Sequence, residues 1–349
     1  HKGNAMPKLN LKNMLFTEVP AVTGNQPPGI FDKAFQKLFG LKKDWYKQRD
    51  IAKNNFVLGI EHFRKGNVQD AVFRFRMVTW FDKDNPDGWY WLGRSFLRDG
   101  RKEQAVAALR RSKQLKPGTE DVDYMLAVAD ISTSQAQLPK RMPPNLVKEH
   151  FEGIAGDYLA TIEIGQHKGH ELVADAARAA LQQGRIDHVV LDLGVGTGLC
   201  GVRLRDVAAH ITGIDISAKM LEQAMRAQDA NGKKLYDALV HREAHDFMTA
   251  AADGAFDVVL AAGVVDYIGE LEALWQQVTR VLKTGGLFAL SASSMNEAGY
   301  KFDTKTEHFR FSKGYLEGLA RQNGMQMVSC TDADVSAGQM MWICVFRKA

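Results

Sequence analysis

The second half of the chain carries short, continuous apolar runs separated by stretches with helical periodicity. Four runs that end at glycine or polar residues predict buried parallel strands: His188–Leu193, Ile211–Ile216, Phe256–Ala261 and Leu287–Ser291. The helices between and after them are predicted at Leu199–Ala208, Ala218–Ala227 and Leu271–Leu282. Near Gly338 an antiparallel edge hairpin is predicted from Gln326–Cys330 and Met341–Phe346. This alternation predicts an α/β fold with a doubly wound, mostly parallel, Rossmann-like sheet.

The first half of the chain repeats with a period of 34 residues. Glycine recurs at 59 and 93, alanine at 71 and 105, and leucine at 58 and 92. Helices are predicted at about 51–65, 68–82, 86–99, 102–115 and 119–135. The pattern Trp89-x-x-Leu92-Gly93-x-x-Phe96, with Ala105 following, resembles the tetratricopeptide repeat. The resemblance implies an all-α repeat domain over 51–138, whose role is either docking of a partner or self-association.

Composition and charge fit a protein without disulfides or membrane spans. Apolar residues make up 45% and charged residues 25%, and the net charge is +4. Residues 1–50 hold nine lysines and arginines against four acids, so we interpret this segment as a basic arm, with 1–5 as a tag remnant. The three cysteines lack metal-ligand spacing, so we expect no metal. No transmembrane segment or secretory signal is expected, and a cytoplasmic location is predicted.

A glycine-rich turn after the first predicted strand is the strongest candidate binding site. Asp192 precedes Gly194, Gly196 and Gly198, and Asp215 comes near the end of the next strand. Glycines after a strand let backbone amides approach a ligand, and the spacing also satisfies the dinucleotide fingerprint. A carboxylate at 192 would repel a pyrophosphate but suits a cationic amino-acid group. A carboxylate at 215 suits ribose hydroxyls. These features favour S-adenosylmethionine over a nicotinamide dinucleotide.

About 200 residues, from 145 to 349, resemble class I S-adenosylmethionine-dependent methyltransferases. The resemblance is carried by the Asp192–Gly198 motif, by Asp215 and by the segment Val240–Phe247. With the repeats, the chain is similar to bacterial tetratricopeptide-containing methyltransferases. The resemblance implies a methyltransferase domain over 139–349, with residues 133–144 at the boundary.

The resemblance also implies roles for individual residues. Cofactor contacts are expected from the glycine turn with its two acids, and in addition from Ile216, Glu243, Ala244 and Tyr158. The helix predicted at Leu146–Leu159 would bring Tyr158 over the cofactor as part of a lid. Candidate catalytic residues are His308 as a base, Asp266 as a second acid–base candidate and Tyr267 to orient the acceptor.

The expected reaction is methyl transfer to an oxygen or nitrogen atom of a small molecule. The motifs of DNA-base methylation are absent from the sequence, and the catalytic half is near neutral, so no nucleic-acid partner is expected. Two alternatives stay open. The acceptor is a protein or a carrier-bound group recruited by the repeats, or the chain is a non-catalytic binding module.

Overall fold

The computed structural model describes residues 45–129, 139–165, 167–229, 231–303, 306–336 and 338–349. They fall into two units, one ending at Thr133 and the other beginning at Ser134. Most of the basic arm predicted at 1–50 lies outside the described residues, as does the segment 130–138.

The described part of the N-terminal unit, residues 45–129, consists of helices that follow one another with short connections. They are α1 (Trp45–Arg64), α2 (Val68–Phe81), α3 (Pro86–Arg98), α4 (Lys102–Leu115) and α5 (Glu120–Ala129). The sequence predicted a helix at each of these places. Asn85 starts α3, since its side chain accepts a hydrogen bond from the Gly88 amide at 2.9 Å and Pro86 follows at the first helical position.

Two glycines allow neighbouring helices of this unit to pack closely. A Cβ at Gly59 on α1 would lie 2.8 Å from the Phe75 ring on α2, and a Cβ at Gly93 on α3 would lie 2.6 Å from Leu109 on α4. Phe75 and Leu109 are both fully buried. The same kind of contact is thus made twice, at positions that are 34 residues apart on both partners.

The C-terminal unit alternates helices and strands. It begins with α6 (Pro144–Ile154), α7 (Tyr158–Gly165) and α8 (Gly169–Ala180). The alternating part contains β1 (His188–Leu193), α9 (Leu199–Leu204), β2 (Ala208–Asp215), α10 (Ala218–Ala224), β3 (Ala238–His241), α11 (Ala244–Ala250), β4 (Phe256–Ala261), α12 (Glu272–Val281) and β5 (Leu282–Ser293). After β5 come β6 (Tyr300–Asp303), β7 (His308–Phe311), α13 (Lys313–Gln322), β8 (Met325–Ser336) and β9 (Gln339–Lys348).

Seven strands form one sheet in the order β3-β2-β1-β4-β5-β9-β8. The strands from β1 to β5 pair in parallel, whereas β9 is antiparallel to both β5 and β8. The prediction of a doubly wound, mostly parallel sheet with an antiparallel hairpin is confirmed. The carboxyl ends of β1 to β5 therefore share one edge, where open α/β sheets bind ligands.

Several predicted boundaries are wrong for identifiable physical reasons. The single helix predicted at Leu146–Leu159 is two helices, α6 and α7, which are separated by a turn at 155–157 that contains Gly156. The segment after β5, over which no strand was predicted, contains the antiparallel pair β6 and β7. Strand β8 is longer than expected, because its exposed positions interrupt the apolar run on which the prediction relied.

A buried hydrogen-bond chain fixes the turn after β1. The Asp192 carboxylate, 1% exposed, accepts a hydrogen bond from the Tyr236 hydroxyl at 2.7 Å. The same hydroxyl accepts the Gly201 amide at 3.0 Å. The Tyr236 ring packs closely against two glycines. A Cβ at Gly198 would lie 3.1 Å from this ring, and a Cβ at Gly201 would lie 2.8 Å from it. Burial raises the pKa of Asp192 to about 7.

Within the described ranges we find no helix with both the length and the apolar character that crossing a membrane requires.

The close approach at Gly93 predicts a specific destabilisation. Gly93→Ala forces Leu109 to move and should lower the free energy of unfolding by about 1–3 kcal/mol, despite the better helix propensity of alanine. Gly153→Ala is the control, because a Cβ there meets nothing within 4 Å. Urea unfolding followed by circular dichroism measures both variants. Equal stability of Gly93→Ala and the parent chain would contradict the packing argument.

The raised pKa of Asp192 predicts a pH-dependent stability. A carboxyl whose pKa is higher in the folded state stabilises the protein fully at low pH, and this contribution is lost as the pH rises from about 4 to about 7. Asp192→Asn has no proton to lose. Its free energy of unfolding relative to the parent chain should therefore rise by about 3 kcal/mol between pH 4.5 and pH 8.

Urea unfolding at several pH values measures this difference. The control is Glu222→Gln on the exposed surface of α10, which leaves the contact between Asp192 and Tyr236 intact. Parallel pH curves for Asp192→Asn and the parent chain would show that the carboxylate is not buried as described.

Candidate active site

A cavity of about 360 Å³ opens at the carboxyl ends of the parallel strands. Its walls come from the turn after β1, the end of β2, the start of α11, the turn after β4 and the helices α6 and α7. The turn after β1, the end of β2, the start of α11 and the turn after β4 lie at the carboxyl ends of parallel strands, so the sheet determines where these four segments meet. Most of the residues that the sequence singled out line this cavity.

Two of the three glycines of the turn form part of the cavity wall. Gly194 and Gly196 line it, with φ values of 64° and 54°, which disfavour a side chain. A Cβ at Gly194 would also lie 2.7 Å from Val264. Gly198, with φ 88°, is the N-cap of α9 and lies against Tyr236 rather than at the wall. The turn therefore faces the cavity with Gly194 and Gly196 and packs on the buried Tyr236 ring with Gly198.

Asp215 ends β2 at the cavity wall. Its Oδ2 accepts the Gly196 amide at 2.9 Å and its Oδ1 accepts the Ser217 amide at 2.8 Å. A carboxylate accepts about four hydrogen bonds, so both oxygens retain capacity for a ligand. Burial raises the pKa of this carboxyl, although the two amides act in the opposite direction. Ile216 follows it on the wall, and its carbonyl contacts the His241 ring at 2.9 Å.

The start of α11 supplies a second polar wall. Glu243 is the N-cap of α11, and its carboxylate accepts the Asp246 amide at 3.2 Å. Ala244 lines the cavity beside it, together with Arg242 and His245. The sequence resemblance covered the segment Val240–Phe247 and pointed to Glu243 and Ala244, but it assigned no contact to Arg242.

Helices α6 and α7 place aromatic rings over the cavity. Phe151 and Tyr158 both line it, with ring centroids 6.5 Å apart. Burial, and after it the negative charge of Asp215, raises the pKa of Tyr158. Tyr158 therefore stays a neutral hydroxyl near the ribose-binding candidate.

Two of the catalytic candidates, Tyr267 and His308, are in ring contact with each other. Tyr267 lines the cavity, and its ring centroid is 5.4 Å from that of Phe151 and 5.0 Å from that of His308. The ring centroid of His150 is 6.3 Å from that of Tyr267. Burial lowers the pKa of His308, and the positive charge of His150 lowers it further against the attraction of Asp303. The His308 imidazole is thus neutral near pH 7.

Asp192, Asp266 and His308 do not line the cavity, which departs from the sequence interpretation. Asp192 lies beneath the glycine turn and bonds to Tyr236, so it does not face the ligand directly. Asp266 is 5% exposed and accepts the Ser293 amide at 2.8 Å and the Ser293 hydroxyl at 3.1 Å. Burial raises the pKa of Asp266 to about 6. Both acids fix backbone segments around the site.

Sequence reasoning missed the short segment that leads into α6. The Met142 amide donates to the Tyr267 carbonyl at 2.8 Å, and the Lys140 carbonyl accepts the Gly269 amide at 2.7 Å. Arg141 and Met142 consequently line the cavity. Only the tertiary fold brings them there, since they are more than 120 residues away from Tyr267 along the chain.

The cavity fits S-adenosylmethionine by the chemistry of its walls. Asp215 offers acceptors for ribose hydroxyls, and the glycine turn leaves space that a Cβ would fill. Arg242, Ala244 and His245 flank the region expected for the base. In the described part of the chain we find no group of three or more histidine, cysteine or acidic residues able to hold a metal ion.

Comparison with known proteins gives consistent similarities. Residues 191–290 match a family model described as a methyltransferase domain. The chain is 32% identical over 172 residues to the malonyl-acyl-carrier-protein O-methyltransferase of Enterobacter lignolyticus, covering 46% of this chain and 65% of that protein. It is 31% identical over 111 residues to the ubiquinone biosynthesis O-methyltransferase of Thiobacillus denitrificans, covering 32% of this chain and 47% of that protein. The chain thus spans less than two thirds of these relatives.

Among solved structures, the magnesium protoporphyrin IX methyltransferase of Synechocystis aligns with a TM-score of 0.47 and 15% identity, covering 59% of this chain and 99% of that one. The match over 191–290 contains the glycine turn, Asp215, Glu243 and Tyr267. Residues 191–290 are therefore similar to methyltransferase domains.

Proposed function

We propose that residues 139–349 transfer a methyl group from S-adenosylmethionine to an oxygen or nitrogen atom of a small-molecule acceptor. The observation that carries this proposal is the pairing of two walls in one cavity. The Asp215 carboxylate and the glycine turn form one wall, and the rings of Phe151, Tyr158 and Tyr267 form the other. Curated relatives that act as O-methyltransferases support the same chemistry.

The residues of the chain contribute alignment and exclusion of water more than bond activation. When bound, the cofactor supplies an electrophilic methyl group. Asp215 and the turn hold the nucleoside, while Phe151 and Tyr158 cover it and keep water out. Asp192 acts indirectly, because it fixes the turn through Tyr236.

His308 is our candidate for the general base. Its imidazole is neutral near pH 7 and its ring contacts Tyr267 at the acceptor side of the cavity. Tyr267 would orient the acceptor, since burial and the charge of Asp266 raise its pKa and keep it protonated. We assign Asp266 a positioning role at the end of β5 through Ser293.

A second candidate function is methylation of a carrier-bound acceptor that the N-terminal unit recruits. The name of the Enterobacter lignolyticus relative includes an acyl-carrier protein as substrate. The repeated contacts of Gly59 with Phe75 and of Gly93 with Leu109 support a tetratricopeptide-like module over 51–138, for docking or self-association. We propose a reducing, cytoplasmic location, in which the three free cysteines would persist.

Binding of the donor nucleoside is the first test. S-adenosylhomocysteine at about 100 times its Kd should raise the melting temperature by roughly 5–10 °C. Asp215→Ala should abolish this shift, because the ribose loses its acceptors, whereas Glu222→Ala on exposed α10 should retain it. Differential scanning fluorimetry measures the shift. An undiminished shift for Asp215→Ala would contradict the ribose assignment.

Turnover is tested with labelled S-adenosylmethionine and a panel of phenols, amines, free acids and acyl-carrier-protein thioesters. Labelled product from free small molecules supports the first function, and product from thioesters alone supports the second. No labelled product from any acceptor, together with normal cofactor binding, would favour a non-catalytic module.

With the acceptor found in this screen, His308→Gln should lower kcat by about 100-fold or more and leave cofactor affinity unchanged. Because the pKa of His308 is lowered, the activity of the parent enzyme should fall only at a pH below the ordinary histidine pKa. In the variant, activity should no longer fall in this acidic pH range. His210→Gln, at the amino end of β2, is the control. Equal turnover and an unchanged pH profile for His308→Gln would remove it from the mechanism.

A further inference from the structure

Two cysteines face each other in the hairpin of β8 and β9. Cys330 on β8 and Cys344 on β9 are direct partners in the antiparallel register. Strand β8 carries Cys330 at the edge of the sheet, and β9 carries Cys344 in the next position inward. Directly opposite residues of an antiparallel pair project from the same face of the sheet, which places both thiols on one face.

The backbone geometry of such a pair matches that of a disulfide. Opposite Cα atoms in antiparallel strands lie about 4.5–5.5 Å apart. Disulfides join Cα atoms that are about 4.4–6.8 Å apart. A bond between the Cys330 and Cys344 sulfurs therefore requires rotation of side chains and no change of register.

The two thiols differ in their access to solvent. Strand β8 is the edge of the sheet, and Cys330 is half-buried between the exposed residues Ser329 and Thr331. Cys344 is fully buried, and on its other side β9 pairs with β5. A reagent from solution consequently reaches Cys330 first.

The charges around the pair favour a thiolate at Cys330. The contact from the Cys344 thiol lowers the pKa of Cys330, and Lys313 at the start of α13 lowers it further. Burial, Glu317 and Asp332 act in the opposite direction. The same contact and burial raise the pKa of Cys344. The more accessible sulfur is thus also the better nucleophile.

We infer that Cys330 is a covalent modification site for low-molecular-weight disulfides and that Cys344 resolves the adduct into an intramolecular disulfide. The Cys330 thiolate attacks a sulfur of the small disulfide, forming a mixed disulfide and releasing one thiolate. The Cys344 sulfur, after losing its proton to solvent, attacks the Cys330 sulfur and expels the second thiolate. The small disulfide is reduced to two thiols, and the protein dithiol is oxidised by two electrons.

Cys200 provides an internal comparison. It is buried in α9, its thiol is 3.8 Å from the His170 carbonyl, and burial raises its pKa. The assignment therefore predicts that two of the three thiols react and that Cys200 does not.

The test is incubation of the full chain with millimolar oxidised glutathione, followed by acid quenching, alkylation and intact-mass analysis. The parent chain should retain one alkylatable thiol and lose about 2 Da, which dithiothreitol should reverse. Peptide mapping should join Cys330 to Cys344. Retention of all three thiols, or a cross-link that involves Cys200, would overturn the inference.

Single variants separate the two steps. Cys344→Ala should accumulate a mixed disulfide at Cys330, with a gain of about 305 Da. Cys330→Ser should retain both remaining thiols, because the accessible nucleophile is gone. Cys200→Ala should form the disulfide as the parent chain does. A mixed disulfide that persists at Cys330 of the parent chain would exclude Cys344 as the resolving thiol. None of these measurements depends on methyltransferase activity.

Discussion

The hydrogen bond between the Tyr236 hydroxyl and Asp192 is the interaction on which the site depends. It satisfies a carboxyl group that is otherwise buried in the core, and the same hydroxyl anchors the start of α9 through Gly201. The ring fills the space that Gly198 and Gly201 leave open. The turn after β1 is thereby fixed from below, so that Gly194 and Gly196 remain free to face a ligand.

Local patterns predicted the sheet because its strands are buried on both faces, and short continuous apolar runs such as Phe256–Ala261 are typical of such strands. The same logic located Gly194, Gly196 and Asp215 at the cavity, since parallel strands end at one edge. The sequence patterns did not predict residues whose position depends on tertiary contacts. Tyr236 lies in a polar segment without strand periodicity, and Arg141 and Met142 reach the cavity only through backbone bonds to Tyr267 and Gly269.

The two sides of the cavity differ in what holds them in place. The nucleoside side is built on strand ends and on backbone amides bound to Asp215, which are rigid elements of the sheet. The proposed acceptor side is formed by rings on separate elements, namely α6, the turn after β4 and β7. Aromatic contacts of this kind tolerate rearrangement better than a strand register does. Cofactor recognition is consequently easier to predict from sequence than acceptor choice.

The strand order has a consequence for the way the sheet assembles. Strand β9 lies inside the sheet, between β5 and β8, although it follows β8 in the chain. Without β9, neither β8 nor the outer side of β5 has a strand partner in this sheet. A chain shortened before Gln339 would leave β5 as an open apolar edge, and such an edge recruits other chains into aggregates.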